Sequence, residues 1–351
     1  MKHWHGWEEM QKELRGFDGV YLDTMSKFSY EVLELPPYYD FKTCLTAVFL
    51  YSVDGKMYDL TLRFIGINSL KMDTDVGISD IQISPEQIED IQFYVKDYEQ
   101  GSVSFYCEAI SYLGVEENAE ENLKLALQKW WKLEKMVEPD RQEAVETLDM
   151  LVDFVDRPVV AEILLRSVVH ENKDIRDIAY EYLWYLDDSR AFELACAGLK
   201  SEDVLRRINC LEYLAKWGHA GIVPQLLDRV ENDDDELVRC YAAEAVGHNA
   251  ETEAIPVLQR LLLQEQDDVA KIGMLYGLAL LGYRDLDSFF ENLQNDYYIV
   301  RIRAALYLTE IARDDATVLS SIVAKLKLCR KLEETVAVKE ALDYALGELA
   351  N

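Results

Sequence analysis

Residues with catalytic potential are few in this chain, and no catalytic motif groups them. His3 and His5 are two positions apart, a spacing that can place two imidazoles on one metal ion, but a zinc site uses three or four protein ligands. The six cysteines are scattered without a short-spaced pair, which is typical of reduced, buried thiols. No nucleophile motif and no phosphate-binding glycine-rich loop is recognisable. The sequence therefore predicts a protein that is not an enzyme and that uses no metal ion or cofactor.

The net charge of −30 over 351 residues restricts the possible partners. Residues 1–138 hold 13 basic and 25 acidic residues, a net charge of −12, which leaves −18 for the rest. A field of this sign repels nucleic acids and anionic membranes and attracts basic proteins, although solubility alone would also account for it. Reduced cysteines, the lack of a signal-peptide pattern and the lack of an apolar run of about 20 residues favour a cytoplasmic protein.

An apolar residue, an arginine and a small residue three positions later recur through the second half of the chain. The anchor positions are Arg176, Arg206, Arg239, Ala270 and Arg301, at spacings of 30, 33, 31 and 31 residues, with looser copies at Arg141 and Lys339. Each anchor begins an amphipathic helix, a short loop and a second helix, and neither helix is long enough to be stable alone. Stacked copies would supply the missing packing partner. We expect the arginines to bind carboxylates or free carbonyl groups at the turns between units.

These segments resemble the short HEAT-like repeats first recognised in phycobilisome lyases, which are marked by Asp-x-x-Val-Arg before an alanine-rich helix. Asp235–Arg239 and Tyr298–Arg301 carry this mark, and Glu202–Arg206 carries it more loosely. The resemblance covers residues 139–351 and implies a right-handed solenoid of about seven helix pairs, with a concave face lined by the second helices. It implies a fold and not an activity, since such repeats serve lyases, adaptors and scaffolds alike.

Residues 1–115 have a different pattern, in which apolar and polar residues alternate. The alternating runs are Phe28–Leu35, Cys44–Val53, Met57–Ile65, Ile81–Ile83, Ile91–Val95 and Ser102–Ile110. They predict six or seven antiparallel strands in a curved sheet or half-barrel, with a hairpin at Asp54–Gly55 and a short helix at Trp7–Leu14. A helix within residues 116–138 would join this sheet to the repeats. The predicted fold class is α+β with two domains, an antiparallel β-rich domain (1–115) followed by an all-α HEAT-like solenoid (139–351).

The N-terminal block also resembles a bacterial immunity-protein domain of the kind that neutralises polymorphic toxins. The resemblance is carried by Leu45–Leu50, by Tyr58–Gly66, whose strand ends in Leu-x-Phe-x-Gly, and by Gly101–Glu108. It implies an acidic cytoplasmic protein that binds a toxin and covers its active site. It identifies no contact residues in this chain.

An acidic run between two repeat units is the candidate partner-binding surface. The run comprises Glu231, Asp233, Asp234, Asp235 and Glu236, and the following loops add Glu265, Asp267, Asp285 and Asp287. Because stacked repeats bring equivalent loops side by side, we expect a ridge of exposed carboxylates that docks a Lys/Arg-rich protein. Helix capping is the alternative, since aspartate is a preferred N-cap residue, but Asp233 and Asp234 exceed what capping needs.

The function that the sequence favours is a non-enzymatic immunity protein that captures a cationic toxin domain on its acidic surface. The alternative is an adaptor or scaffold whose repeats dock a helix or peptide. A second alternative is a lyase-like or DNA-repair enzyme on the same repeats, for which Trp184 and Trp217 are the aromatic candidates. The negative charge opposes the basic groove that a DNA-binding enzyme needs. The sequence leaves the oligomeric state open.

Overall fold

The computed structural model of this chain describes residues 4–14, 17–35, 40–73, 77–98, 101–136 and 139–350. Contacts divide the chain into two units, Met1–Trp131 and Lys132–Asn351. His3, one half of the histidine pair considered above, lies outside the described residues. No helix in the described residues is long and apolar enough to span a bilayer.

The first unit is built from two β-sheets. Its elements are β1 (Trp4–His5), α1 (Trp7–Glu13), β2 (Tyr21–Leu22), β3 (Met25–Leu35), β4 (Asp40–Val53), β5 (Lys56–Ile65), β6 (Asn68–Met72), β7 (Ile81–Ile88), β8 (Ile91–Asp97), β9 (Val103–Cys107) and β10 (Ala109–Glu117). One sheet has the order β1-β10-β5-β4-β3, and the other has the order β2-β7-β8-β9-β6. All neighbours are antiparallel except β1 and β10. The β-rich antiparallel prediction is confirmed, but the strands form two sheets where the sequence predicted one.

Local turn chemistry explains the hairpin between β4 and β5. Asp54 and Gly55 both have positive φ angles, 50° and 81°, which a two-residue turn between twisted strands requires. Val53 lies opposite Lys56, so the loop has the predicted length and position. The predicted hairpin is confirmed.

The predicted strand Ser102–Ile110 is two strands in the structure. The chain passes from the second sheet to the first at Glu108, whose carboxylate lies 2.8 Å from the ammonium of Lys42. β10 then continues to Glu117, inside the segment that the sequence assigned to the connecting helix. The predicted connecting helix is present from Ala119 to Leu133, but Glu116 and Glu117, which the sequence assigned to its acidic start, pair with β5 instead.

Apolar side chains from both sheets form one core. Leu45, Ala47 and Phe49 of β4 are fully buried and alternate with more exposed residues, as a period-2 pattern requires. Phe64 of β5 meets Phe105 of β9 edge to face, with ring centroids 5.0 Å apart. The two sheets are therefore joined by a shared apolar layer.

The boundary between the two units falls near the end of the helix α2 (Ala119–Leu133), and the second unit is a series of helix pairs. Its helices are α3 (Arg141–Val152), α4 (Pro158–Ser167), α5 (Lys173–Tyr182), α6 (Ser189–Gly198), α7 (Val204–Trp217), α8 (Val223–Asn232), α9 (Glu236–Asn249), α10 (Ile255–Gln264), α11 (Asp268–Leu280), α12 (Leu286–Asn292), α13 (Tyr298–Asp314), α14 (Leu319–Leu332) and α15 (Val336–Glu348). We call the odd-numbered helices from α3 onward the first helices and the even-numbered ones the second helices. Residues 139–350 thus hold six pairs and the further first helix α15, where the sequence predicted about seven pairs.

The first helices stack on one another through small residues. A Cβ added to Gly277 of α11 would collide with the carbonyl oxygen of Ala243 in α9. One added to Gly273 would lie 2.6 Å from the carbonyl oxygen of Cys240. Only glycine allows helix backbones to approach this closely. The small residues of the repeat pattern are therefore contact points between neighbouring first helices.

The anchor arginines bind carboxylates and carbonyl groups at the turns between units, as the sequence predicted. Arg239 donates to both carboxylate oxygens of Glu265 at 2.7 and 3.1 Å and to the carbonyl oxygen of Asp233 at 3.0 Å. Arg301 binds Glu333 in the same forked manner at 2.9 and 3.2 Å. Forked pairs of this kind fix both distance and orientation between neighbouring units.

In two units the predicted anchor was one residue out of register. Arg207 rather than Arg206 donates to the carbonyl groups of the preceding turn, at 2.9 and 3.3 Å. Lys271 rather than Ala270 does so in the unit of α11, at 3.2 Å. In both of these units the observed anchor is the fourth residue after the helix N-cap, Asp203 or Asp267, so the cap sets the register.

Candidate functional site

The predicted acidic run lies between α8 and α9, and its first aspartates occupy contrasting environments. The exposure predicted for Asp233 is wrong, since its side chain is only 1 % exposed. It lies 2.9 Å from Arg207 and 3.3 Å from Arg229, because arginines of α7 and α8 both reach this loop. Asp234, 93 % exposed, contacts the same Arg207 at 3.0 Å. Asp233 is thus part of an internal ion-pair cluster, although it lies in a loop.

The remaining aspartates of the predicted ridge begin helices. Asp235, Asp267 and Asp285 are the N-caps of α9, α11 and α12, and accept backbone N–H groups at 2.9, 2.8 and 3.2 Å. Glu236 and Asp287 lie in the first turns of α9 and α12, where a negative charge complements the helix dipole. These five residues therefore agree with the alternative interpretation of the acidic run, in which the carboxylates cap helices or stabilise their first turns.

Three of the predicted carboxylates do come together, around an arginine. Glu231, Asp233 and Glu265 line a cavity of about 290 Å³ that also contains Arg239. Glu231 forms an ion pair with Arg260 at 3.1 Å, so each of the three carboxylates already has an arginine partner. The structure brings these acids together as ion pairs between units rather than as an uncompensated ridge.

A larger cavity lies on the first helices, and we call it the first-helix groove. Its volume is about 640 Å³, and it is formed by α7, α9 and the end of α5 with the turn that follows. Its walls carry three carboxylates and three aromatic rings, namely Glu181, Glu212, Glu244, Trp184, Tyr185 and Tyr241. The resemblance to HEAT-like repeats implies a concave face lined by the second helices, whereas this groove is lined by first helices.

The sequence reasoning missed this groove, although one local signal was present. Tyr241, Glu244 and His248 recur at helical spacing along α9, which is otherwise composed mainly of small and apolar residues. Glu212 and Lys216 have the same relation on α7. Spacing places these side chains on one face of each helix, but it does not show which helices stack side by side.

Lys216 holds its ammonium group against two indole rings at the edge of the groove. Its Nζ lies 3.3 Å from the ring centroid of Trp184 and 4.8 Å from that of Trp217. The indole N–H of Trp217 donates to the carbonyl oxygen of Trp184 at 2.9 Å, which links the two residues. A cation over an indole face gains about 0.5–2 kcal/mol. The tryptophans considered above for a repair enzyme thus face a lysine of the chain itself.

A buried network on α13 holds the other wall of the groove in place. The Arg303 guanidinium lies 4.4 Å above the ring of Tyr241 and donates to the Tyr307 hydroxyl at 2.9 Å. That hydroxyl donates to the carboxylate of Glu244 at 3.1 Å. The Tyr307 ring stacks on Tyr276 with centroids 4.0 Å apart. Two groove residues are therefore fixed by contacts that lie behind them.

The carboxylates of the groove are only partly compensated. Burial raises the pKa of Glu212 and of Glu244, and Arg303 reduces the rise without cancelling it. The charge of Glu181 adds to the rise in the pKa of Glu212, and Glu212 adds to that of Glu244. Burial also lowers the pKa of His248, which keeps its imidazole neutral near pH 7. Such a row of like charges favours a bound cation.

Comparison with known proteins identifies the helical unit. Residues 192–279, which include α7 and α9 and most of α11, match the HEAT repeats family. Together with the stacked helix pairs, this match shows that the chain is a HEAT-like repeat protein in its helical unit, as the sequence predicted. The match lies entirely within the second unit, so the resemblance of the first unit to immunity proteins stays a prediction.

Three solved structures resemble the chain at low sequence identity. The CpcE–CpcF complex of phycocyanin lyase from Nostoc sp. PCC7120 is 15 % identical, with 64 % of this chain and 94 % of the other covered and a TM-score of 0.45. YibA of E. coli is 18 % identical, with coverages of 68 % and 100 % and a TM-score of 0.38. An engineered protein is 17 % identical, with coverages of 66 % and 96 % and a TM-score of 0.31. No curated protein matches the chain.

Proposed function

We propose that this protein is a non-catalytic adaptor that binds a segment of a partner protein in the first-helix groove. The observation that carries the proposal is the groove itself, a cavity of about 640 Å³ whose rings and carboxylates come from α7, α9 and the end of α5 with the turn that follows. HEAT-like arrays present extended binding surfaces of stacked helices. Aromatic side chains in concave, well-packed positions dominate the binding energy of protein interfaces.

The chemistry of the groove supports binding rather than catalysis. Its lining contains no serine, threonine or cysteine that His248 could activate as a nucleophile. Lys216, the amine of the lining, lies against an indole ring. Tyr241 and Glu244 are held by the Arg303 and Tyr307 network. Tyr241 and Glu244 therefore form a fixed surface with a defined charge, which favours recognition of a partner.

The finer proposal is that the partner is a cationic toxin domain, as expected of an immunity protein. It is supported by the net charge of −30, which accelerates association with a basic protein at low salt. Co-expression with the product of the adjacent gene tests it. A stoichiometric complex that dissociates steeply with salt and abolishes the toxicity of that product would support the finer proposal. A partner that is not basic or not toxic would be compatible with the adaptor function and would exclude the proposal that the partner is a toxin.

Affinity capture with matched variants tests the adaptor function. Trp184→Ala removes an indole of the groove that is 42 % exposed, and Trp131→Ala removes an indole of α2 that is 41 % exposed. The partner captured by the wild-type protein should be retained by Trp131→Ala and lost by Trp184→Ala. Retention by both variants, with circular dichroism showing that both are folded, would exclude the groove as the binding site.

A second pair of variants separates the groove from the predicted acidic ridge. Glu212→Lys reverses a charge in the groove, and Asp287→Lys reverses an exposed charge at the start of α12. Both change the net charge of the chain equally. Loss of the partner with Glu212→Lys alone would place it in the groove, whereas loss with Asp287→Lys alone would restore the ridge as the docking surface.

A further inference from the structure

We propose that the first-helix groove receives a lysine or arginine side chain of the partner, and that Lys216 occupies this cation site in the free protein. The inference rests on the proposed function, because it specifies the chemical group that the same groove binds. It goes further in that it names the wall that contacts the cation and the residue that the partner displaces.

The first step of the argument is the position of the Lys216 ammonium. Within the described residues it has no carboxylate partner, and its contacts are the two indole faces and the carbonyl oxygen of Trp184 at 3.4 Å. Lysine is a flexible residue with a strongly hydrated charge, so this arrangement is easily exchanged for another. The Trp184 face therefore accepts an ammonium group that is not held there by an ion pair.

The opposite wall shows the same chemistry in a fixed form. Arg303 lies over Tyr241 and is held by the Tyr307 hydroxyl, which in turn binds Glu244. The Tyr241 ring thus carries a guanidinium that hydrogen bonds hold in place, and the Trp184 ring carries an exposed ammonium. The displaceable cation is the one on Trp184.

The carboxylates between these walls supply the charge that an incoming cation needs. Glu181 and Glu212 both reach solvent, although the carboxylate of Glu212 is partly desolvated in the groove. Within the described residues Glu181 takes part in no hydrogen bond or ion pair. The mutual repulsion of Glu181, Glu212 and Glu244 is relieved when a cation enters. Arginine suits the site best, because its planar guanidinium stacks on an indole and binds carboxylates in a forked manner.

The alternative ligands fit this site less well. An anionic group would meet three carboxylates and be repelled. For a metal ion, the described residues hold no group of three or more histidine, cysteine, aspartate or glutamate side chains placed as ligands. A purely apolar segment would leave the carboxylates unpaired. Only an organic cation can contact the aromatic rings and pair with the carboxylates at the same time.

Fluorescence anisotropy at low ionic strength tests the inference with a labelled arginine-rich peptide and the matched peptide in which citrulline replaces each arginine. Citrulline keeps the size of arginine and removes its charge. The wild-type protein should bind the arginine peptide at least about tenfold more tightly than the citrulline peptide, and Trp184→Ala should weaken binding by about tenfold. Equal binding of the two peptides, or no binding of the arginine peptide, overturns the inference.

Removal of the resident lysine gives the sharper result. Lys216→Met should tighten the binding of the arginine peptide by about threefold or more, since a competing cation is removed. Lys327→Met, on the exposed surface of α14, removes the same charge away from the groove and should have a smaller effect. Equal effects of the two substitutions would show that Lys216 does not occupy the site. If the peptide measurements contradict the inference but Trp184→Ala still loses the natural partner, the proposed function stands and only this inference fails.

Discussion

Asp233→Ala should destabilise the helical unit far more than Asp234→Ala, although these adjacent aspartates contact the same guanidinium. The side chain of Asp233 is 1 % exposed and that of Asp234 is 93 % exposed. Asp233 also contacts Arg229 and accepts the backbone N–H of Asp235 at 3.2 Å. Its removal leaves Arg207, whose side chain is 7 % exposed, as a buried charge without its principal partner.

The expected losses follow from burial. Removing one partner of a buried ion pair costs about 3–5 kcal/mol, because the remaining charge is uncompensated. Arg207 keeps two backbone carbonyl groups and its contact with Asp234, so we expect the lower end, about 3 kcal/mol. An exposed pair contributes about 0–1 kcal/mol, so Asp234→Ala should cost less than about 1 kcal/mol. The double variant Asp233→Ala with Arg207→Met should lose less than the sum of the single losses.

Urea unfolding followed by far-UV circular dichroism measures these losses. The circular dichroism signal of helices dominates this measurement, so it follows the unit that contains Asp233 even if the two units unfold separately. The burial of Asp233 predicts a clear reduction in the urea midpoint for Asp233→Ala, and the exposure of Asp234 predicts a small reduction for Asp234→Ala. Equal reductions in the two variants would refute the reasoning.

Contacts elsewhere in the repeats set three further expectations. Burial alone would raise the pKa of Glu333, but hydrogen bonds from an arginine and a threonine outweigh it and lower the pKa to about 2. The stabilisation is therefore complete above the unfolded pKa of about 4.5 and is lost as the pH falls towards 2, and Glu333→Gln should remove about 1–2 kcal/mol of this pH dependence in urea titrations. An unchanged acid profile would contradict the assignment. Gly277→Ala should destabilise by about 2 kcal/mol or more through its collision with α9. The matched control Gly347→Ala, whose added Cβ meets nothing within 4 Å, should stabilise the protein by about 0.5–1 kcal/mol. If calorimetry shows that the unfolding midpoints of Gly277→Ala and Gly347→Ala move in the same direction, the close stacking of α11 on α9 is excluded. Tyr307→Phe should cost about 1–3 kcal/mol, because a half-buried carboxylate and a half-buried guanidinium lose the hydroxyl that they share. An unaltered urea midpoint would argue against that network.

The repeat unit could be predicted from the sequence because its signals are local. The N-cap, the anchor arginine and the small residue all lie within about two turns of one helix, so spacing alone reveals them. The register was wrong at Arg206 because Arg207 follows it directly and the units were aligned on their arginines. Counting four residues from the N-cap Asp203 identifies Arg207 as the anchor.

The β-rich unit was predicted less completely, since strand pairing is not local. The Asp54–Gly55 hairpin needs only its own turn residues, and it was identified. The division into two sheets depends on which distant strands meet, and short strands such as Trp4–His5 and Tyr21–Leu22 show no periodicity of their own. At Glu108 the chain changes sheets without a glycine or proline to mark the change.

The groove could not be predicted because three helices build it. Trp184, Glu212 and Tyr241 lie about one repeat apart in sequence, and only the stacking of α5, α7 and α9 brings them to one cavity. The acidic run could be recognised in the sequence as a charge pattern, but its role could not be predicted. The sequence does not show that Arg207 and Arg229 contact Asp233 in the folded chain.

Site-specific photo-crosslinking tests the central claim, that the partner lies in the first-helix groove. A photoreactive phenylalanine derivative in place of Tyr185, which is 45 % exposed, should form an adduct with the partner that affinity capture retains. The matched position is Leu263 on the second helix α10, which is 86 % exposed. The account predicts an adduct from position 185 and none from position 263. An adduct from position 263 alone would contradict it and place the partner on the second helices.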